Sequence, residues 1–241
     1  PATYNVNGEQ TLVYVAPREI SNTSSTYNHK TYEYTHGYGT IITSVTSTDK
    51  TGNIEYLQKD FNSNEVVTIS QPRIYFGLET NYTAVTNSNK VEFDYPITSS
   101  TKAENAENAY DGQAGLSLNF FDRLILAIKE NDLQLAFSNK VNSESKILIN
   151  RNIIKRAKTL MPYVSYDENP YLVTTNEGKL VWVIDGYTIS ECYPYSQKLT
   201  LEDGIINKKQ INYIRNSVKV LVDAYDGTVK FYITDRNDPI I

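Results

Sequence analysis

The sequence predicts a mixed α+β fold: an antiparallel, strand-rich N-terminal half (residues 1–115), then a half in which helices pack on antiparallel hairpins (residues 116–241). Three patterns predict it. Short β-branched and aromatic runs separated by Gly, Asn and Pro fill residues 3–111. A helical period begins at Phe121, and residues 218–234 alternate around an Asp-Gly pair. We expect the two halves to form one continuous domain.

The N-terminal half contains six runs whose length and composition are typical of short strands. They are residues 11–19, 35–48, 66–70, 73–77, 81–85 and 90–95. Strands this short, separated by turn-forming residues, favour antiparallel pairing. The segment from Thr98 to Ala109 lacks bulky apolar side chains, and we predict a mobile loop there.

Two helices are predicted after residue 115. In the first, Phe121, Leu124, Ile125 and Ile128 recur at i, i+3, i+4 and i+7, and Asn119 with Asp122 offers an N-terminal cap. The second spans about residues 150–160 and ends at Pro162. Its predicted inward residues are Ile153, Ile154, Ala157, Leu160 and Met161, and its predicted outer face carries Arg151, Lys155 and Lys158. We expect that basic face to be solvated, with contact to an anionic surface as the alternative.

Two hairpins follow. Residues 171–175 and 179–185 are joined across Asn176–Gly178, and the second of these strands is apolar on both faces, which predicts a central position in its sheet. In the final hairpin, a type I′ turn at Asp226–Gly227 would place Val222 opposite Phe231 and pair Asp223 with Lys230. Between the hairpins, a further short helix is predicted to begin near Thr200.

Each hairpin ends an apolar strand with an acid, a small residue and a tyrosine, at Val183–Tyr187 and Leu221–Tyr225. A helix followed by such a hairpin looks like the PepSY type of extracytoplasmic module. This likeness favours helices packed on sheets.

Composition and motifs exclude several classes of protein. The net charge is −5, whereas a nucleic-acid binder normally carries a basic stripe. Cys192, the single cysteine, cannot form an internal disulfide, and it shares no metal-ligand spacing with the two histidines. The sequence has no phosphate-binding glycine loop and no nucleophile elbow. We therefore expect no metal, no cofactor and no nucleic-acid partner.

No apolar run reaches the roughly 18 residues that a membrane span requires, and no secretory leader is present. The chain begins at Pro1 without methionine and stops at Ile241, just after a predicted strand. We expect it to be a piece of a longer polypeptide.

Eight motifs occur in an order that closely resembles the large soluble region of a bacterial multi-pass membrane protein family, uncharacterised protein family 0182. They are Val15–Glu19, Tyr34–Gly39, Gln71–Gly77, Glu92–Pro96, Ser145–Val173, Trp182–Thr188, Tyr193–Ser196 and Tyr213–Tyr232. The resemblance implies a domain that faces the extracellular side of the cell membrane, with its own transmembrane segments as partners. It implies no catalytic residue.

The function we expect is that of a binding or interaction module rather than an enzyme, with an envelope ligand or a protein as its partner. Glycine-flanked tyrosines in three of the motifs predict the recognition surface, with His36, Tyr38, Arg73 and Tyr187 as its ligand-binding residues. One alternative is a structural brace for the membrane helices, which predicts a large apolar patch and no cleft.

The remaining alternative is a hydrolase acting on an envelope glycan or peptide. Its candidate catalytic carboxylates are Asp94, Asp167 and Asp185. Glu92 lies two residues before Asp94 on a predicted strand, so both side chains point to the same face. A hydrolase of this kind requires two carboxyl groups about 5 to 10 Å apart in an open cleft.

Overall fold

The computed structural model of the protein describes residues 2–21, 26–61, 65–98, 103–200 and 210–241. Within these ranges the chain is rich in antiparallel strands and contains few helices, which confirms the predicted α+β class. The short helix predicted to begin near Thr200 falls on residues 201–209, outside the described residues. The PepSY-type arrangement stays a prediction.

The first sheet contains four antiparallel strands in the order β1-β2-β4-β5. They are β1 (Ala2–Val6), β2 (Glu9–Pro17), β4 (Thr40–Thr48) and β5 (Ile54–Gln58), while β3 (Gly37–Tyr38) pairs with β6 (Arg73–Ile74). Asn7 and Gly8, with φ of 52° and 91°, form the tight turn between β1 and β2. The prediction of a strand at residues 66–70 is wrong. The backbone amides of Val66 and Val67 donate to the Gln58 side chain instead of pairing with a neighbouring strand.

Two smaller pairings connect the middle of the chain. Strand β7 (Ala84–Thr86) pairs with β10 (Lys146–Leu148), and β8 (Glu92–Thr98) pairs with β9 (Ala103–Asn108). The loop predicted at residues 98–109 is therefore wrong at residue 98 and at residues 103–108, and its residues 99–102 lie outside the described residues. The polar side chains of residues 103–108 do not favour a strand, but backbone pairing with β8 overrides that local preference.

The second large sheet has five strands around the long β13, which pairs with β11 and β12 along one edge and with β16 along the other. Its members are β11 (Ser165–Tyr166), β12 (Tyr171–Thr174), β13 (Leu180–Ser190), β16 (Tyr213–Asp223) and β17 (Val229–Ile233). Strands β14 (Leu199–Thr200) and β15 (Gln210–Ile211) form a separate pair. The central position predicted for the strand at residues 179–185 is confirmed.

The final hairpin is present, but its predicted register is wrong by two residues. Val222 lies opposite Val229, and Leu221, not Asp223, lies opposite Lys230. Ala224 belongs to the turn, where it is fully buried and its carbonyl accepts the amides of Tyr75 and Phe76 at 2.8 and 2.9 Å. The segment that follows β6 thus binds the buried turn, and the carboxylate of Asp223 accepts turn amides rather than pairing with Lys230.

The described residues contain the α-helices α1 (Phe120–Lys129), α2 (Leu133–Phe137) and α3 (Ile153–Leu160), with a short π-helical segment at His29–Glu33. Asn119 caps α1 as predicted, since its side chain accepts the Asp122 amide at 2.9 Å. Asn152 caps α3 in the same way. Ile153 and Ala157 of α3 pack into the core, but Leu160, predicted inward, is exposed.

The predicted basic face of the second helix is wrong at Arg151. It lies before the Asn152 cap, outside the helix, and only 4% of its surface is exposed. Lys155 and Lys158 remain on the solvent side of α3.

Two clusters of buried side chains form the interior. The larger contains Trp182, Tyr75, Phe76 and Tyr166 and joins residues from both halves of the chain. The smaller lies under α1 and α2, around Leu126, Leu135 and Ile147. No helix within the described ranges combines the length and the apolar character of a membrane span.

Candidate functional site

Three of the predicted site residues, His36, Arg73 and Asp94, meet in a buried polar network. The Asp94 carboxylate accepts from Nε2 of His36 at 3.0 Å. The Arg73 guanidinium donates to both oxygens of the same carboxylate, from Nε at 2.9 Å and from Nη2 at 2.7 Å. This two-point geometry is the strongest form of an arginine–carboxylate contact.

Glu92 forms the other end of the network, two residues before Asp94 on the same face of β8. Its Oε2 accepts the hydroxyls of Thr35 at 2.5 Å and Tyr75 at 2.8 Å, and its Oε1 accepts the Asn87 amide at 3.1 Å. The imidazole of His36 lies between the two carboxylates, with Nδ1 3.7 Å from Glu92 and 2.9 Å from the Thr35 hydroxyl oxygen.

The contact with Asp94 places a proton on Nε2 of His36. An ionised Asp94 can only accept, so Nε2 must carry a proton. The Thr35 hydroxyl donates to Glu92, and its oxygen lies 2.9 Å from Nδ1 of the ring.

Burial and these contacts act together on the ionisable groups. Burial of Asp94 opposes ionisation, but hydrogen bonds and charge from His36 and Arg73 outweigh it and hold the pKa of the carboxyl below its usual value. Burial and the negative charge of Glu92 raise the pKa of the Tyr75 hydroxyl well above its usual value. Tyr75 thus remains a neutral donor to Glu92.

Arg151 lies beside this network and was not among the predicted site residues. Its guanidinium donates to three backbone carbonyls, those of Tyr75 at 2.8 Å, Tyr82 at 3.3 Å and Thr35. Burial lowers the pKa of the group to about 10, which leaves it charged at neutral pH. The sequence signal that could have located it is the Asn152 cap, because a helix beginning at Ile153 excludes Arg151.

The network is closed to solvent on most sides. His36 and Glu92 are each 1% exposed and Asp94 is 4% exposed. The Arg73 side chain, 24% exposed, reaches the surface, where its guanidinium carbon lies 5.8 Å from the ring centre of Tyr38. Tyr38 in turn packs against Tyr95 and Phe61.

The glycines of the same motifs serve close packing. A Cβ on Gly37 would lie 2.0 Å from the carbonyl oxygen of Arg18, and one on Gly77 would lie 2.0 Å from the carboxylate of Glu19. Both positions thus hold the segment at Arg18–Glu19 against the strands that form the network.

The other predicted site residues lie on the five-stranded sheet or, for Asp167, directly after its strand β11. Asp167 accepts the Asn169 amide at 2.9 Å within a turn, and Asp185 forms an ion pair with Lys219. Tyr187 pairs with Ser165 on β11. The structure therefore brings together His36, Tyr38, Arg73 and Asp94, and places Asp167, Asp185 and Tyr187 apart from them.

A second candidate site is an exposed apolar surface on α1 and α2, which we name the α1–α2 apolar face. Its members are Phe120, Phe121, Ile125, Ile128, Leu133 and Phe137. Phe121 is 74% exposed, Phe137 71% and Ile125 66%. The ring centre of Phe120 lies 5.8 Å from that of Phe121 and 6.5 Å from that of Phe137, so the three phenylalanines adjoin one another across the two helices.

Small and medium side chains explain why this face points outward. The helices contact each other and the core through Leu126, Ala127, Leu135 and Ala136, all buried. In each helix, two consecutive residues face the core, and the larger apolar side chains lie on a different side of the helix, which faces solvent. The periodicity that predicts α1 is thus confirmed, but its apolar stripe is exposed.

Charged groups of both signs lie in α1, in α2 and in the residues next to them in sequence. The acids are Asp122, Glu130 and Asp132, and the bases are Arg123, Lys129 and Lys140. In the described part of the chain, no group of three His, Cys, Asp or Glu side chains is placed to hold a metal ion.

Comparisons with known proteins agree on one family. The model of the Uncharacterised protein family (UPF0182) matches residues 2–241. A UPF0182 protein of Clostridium novyi is 42% identical over 245 residues, which cover 99% of this chain and 26% of that protein. A UPF0182 protein of Clostridium acetobutylicum is 43% identical over 244 residues, covering 98% of this chain and 25% of that protein.

A relative from Desulfitobacterium hafniense, also a UPF0182 protein, is 43% identical over 246 residues, covering 99% of this chain and 24% of its own length. The chain thus spans about a quarter of the length of the curated relatives that it matches. No solved structure matches it significantly.

Proposed function

The chain belongs to the Uncharacterised protein family UPF0182, and from this premise we propose that it is the interaction module of a bacterial integral membrane protein, on the extracellular side of the cell membrane. The observation that carries the interaction role is the α1–α2 apolar face. Family membership confirms the resemblance found in the motifs, and the membrane placement is part of the proposal.

The size of the face supports a binding role. Burying one large apolar side chain contributes roughly 1.5 to 3 kcal/mol, and six such side chains lie side by side on α1 and α2. Single exposed apolar residues are common on protein surfaces, whereas a contiguous group is typical of an interaction site. Three of the six are phenylalanines, and aromatic residues are enriched in interfaces.

The buried network has a different role in this proposal. His36, Glu92 and Asp94 satisfy one another and hold β3, β6 and β8 together, so they support the fold. A ligand that used the predicted recognition residues would reach them through Arg73 and Tyr38, the members of this group nearest the surface.

The hydrolase alternative gains no support from the geometry. Asp94 is buried against Arg73, Asp185 is paired with Lys219, and Asp167 accepts amides in a turn. Each carboxylate is thus occupied in a structural contact.

Thiol labelling in cells that express the full-length protein tests both parts of the proposal. Cys192 is exposed, so a membrane-impermeant maleimide should label it in intact cells, and Cys192→Ser should abolish that labelling. In detergent-solubilised protein, Ile125→Cys should react at least 10-fold more slowly than Tyr163→Cys, since the isolated surfaces are comparably open but only the first would be covered by a partner.

Two results would contradict the proposal. Labelling of Cys192 only after cell lysis would overturn the extracellular placement. Equal reactivity of Ile125→Cys and Tyr163→Cys would show that the α1–α2 apolar face is bare and would remove the interaction role.

A further inference from the structure

The shape of the α1–α2 apolar face indicates what kind of partner it accepts. Phe121, Ile125 and Ile128 form one ridge along α1 at spacings of four and three residues, and Leu133 and Phe137 form a second along α2 at a spacing of four. Two neighbouring ridges of this spacing present the groove into which the apolar side of another helix packs.

A polar border adjoins this groove. A cavity of about 430 Å³ opens beside Leu133, and its lining includes Lys30, Asn131 and Asp132. A protein interface combines an apolar centre with a polar rim in this way.

The charges around the face argue against a lipid surface as the partner. Helices that bind membrane surfaces are rich in Lys and Arg on their polar side, because the headgroups of bacterial and other membranes include anionic lipids. Here three acids, Asp122, Glu130 and Asp132, accompany four bases, Arg123, Lys129, Lys140 and Lys30, so the border of the face is mixed in sign rather than strongly basic. The single tryptophan, a residue that favours the lipid interface, is buried at Trp182.

The length of the relatives indicates where the partner comes from. The chain spans about a quarter of the proteins that it matches, so a polypeptide of that length carries about three times as much additional chain. A tethered segment meets the face at an effective concentration that reaches the millimolar range for short linkers, far above that of a separate protein.

We propose that the α1–α2 apolar face binds an apolar helical segment of the same polypeptide, located outside residues 1–241. This inference rests on the proposed function and specifies its partner. The contact is intramolecular, with the two ridges of α1 and α2 enclosing one side of the incoming helix.

Photo-crosslinking in the full-length protein identifies the occupant. Phe121→p-benzoylphenylalanine and Phe137→p-benzoylphenylalanine place the reactive group on the two ridges, and Tyr163→p-benzoylphenylalanine is the matched control on another exposed aromatic residue. After irradiation of membranes, we expect an adduct that migrates as a single chain and joins residue 121 or 137 to a peptide outside residues 1–241. The control should give at least 10-fold less of that adduct.

The other outcomes overturn the inference and are distinguishable from one another. A lipid mass on the labelled peptide would identify a membrane surface, and a doubled chain mass with a cross-link inside residues 1–241 would identify a second copy. An adduct with a separate protein would identify an external partner. These three results leave the interaction role intact, whereas no adduct from either ridge, together with fast thiol labelling of Ile125→Cys, removes both proposals.

Discussion

Proteins usually expose charged side chains and bury large apolar ones. The network around His36 and the α1–α2 apolar face are two exceptions to this rule, one of each kind. In the first, charged groups are almost completely buried, and in the second, phenylalanine and isoleucine are mostly exposed. The network is complete, because each of its carboxylates and guanidinium groups has hydrogen-bond partners. Asp94 accepts from His36 and Arg73, Glu92 accepts from two hydroxyls and a backbone amide, and Arg151 donates to three backbone carbonyls. The side chains of the apolar face, by contrast, are left 49% to 74% exposed by the described residues.

This difference separates stability from interaction. Buried charges are tolerated only with good geometry and full hydrogen bonding, so the network depends on its own members. Exposed apolar side chains contribute little to folding until something covers them. Substitutions should therefore affect stability in the network and affinity on the face.

The largest effect should come from Arg151→Met, which removes a buried guanidinium that serves three carbonyls. Each buried carbonyl left without a donor costs about 1 to 3 kcal/mol, so we expect a loss of roughly 4 kcal/mol in the free energy of unfolding. Urea denaturation monitored by the fluorescence of Trp182 measures it. Lys158→Met, on the solvent side of α3, is the matched control and should change stability by less than about 0.5 kcal/mol. Equal effects from the two variants would show that the carbonyls find other donors.

Asp94→Asn should have the next largest effect. The amide keeps the shape of the side chain but leaves Arg73 and His36 without their common carboxylate, which should cost about 3 kcal/mol at neutral pH. The same denaturation experiment measures it, with Asp167→Asn in the exposed turn as control. If Asp94→Asn were as stable as the unchanged protein, the network would not depend on charge.

The pH dependence of stability should be carried partly by the same residue. The folded protein holds the pKa of Asp94 below that of the unfolded chain, so the unfolded state binds the proton more readily. The stabilisation is fully present above the unfolded value near 3.8 and is lost as the pH falls through the lower folded value. The unfolding free energy between pH 6 and pH 3 should thus fall less for Asp94→Asn than for the unchanged protein. An identical slope in both proteins would contradict the contribution of Asp94.

The smallest effect on stability should come from the apolar face. Phe121→Ser and Ile125→Ser remove side chains that are mostly exposed, so each should change the unfolding free energy by less than about 0.5 kcal/mol. Leu126→Ser, one position further along α1 but buried, should cost about 3 kcal/mol and is the matched control. A large loss from Phe121→Ser in the 241-residue chain would mean that the face already packs within it.

Local features of the fold were predicted well because they depend on neighbouring residues. The cap at Asn119 is a hydrogen bond to a backbone amide three residues away, and the turn at Asn176–Gly178 joins two strands that are adjacent in sequence. The central place of β13 follows from its apolar residues on both faces.

Features that depend on distant contacts were not predicted. The turn of the last hairpin accepts two amides from Tyr75 and Phe76, about 150 residues earlier in the sequence, and this contact shifts the register. Arg151 is buried because three carbonyls from different segments surround it, a constellation that no local pattern in the sequence contains.

The candidate site shows the same division. The sequence indicated His36, Tyr38, Arg73 and Asp94 as chemically interesting, but it could not show that burial makes three of them part of a closed network. It also predicted the apolar stripe of α1 without the direction in which that stripe points.

The sequence by itself determined the α+β class, the family, the cap at Asn119 and the central position of the strand at residues 179–185, because these depend on composition, motif order and contacts between near neighbours. The tertiary structure alone decided which carboxylate meets which base, where Arg151 lies, and that the apolar residues of α1 and α2 face solvent. Such outcomes depend on how segments far apart in the chain pack together, and the free energy of that packing belongs to the assembled fold rather than to any one segment.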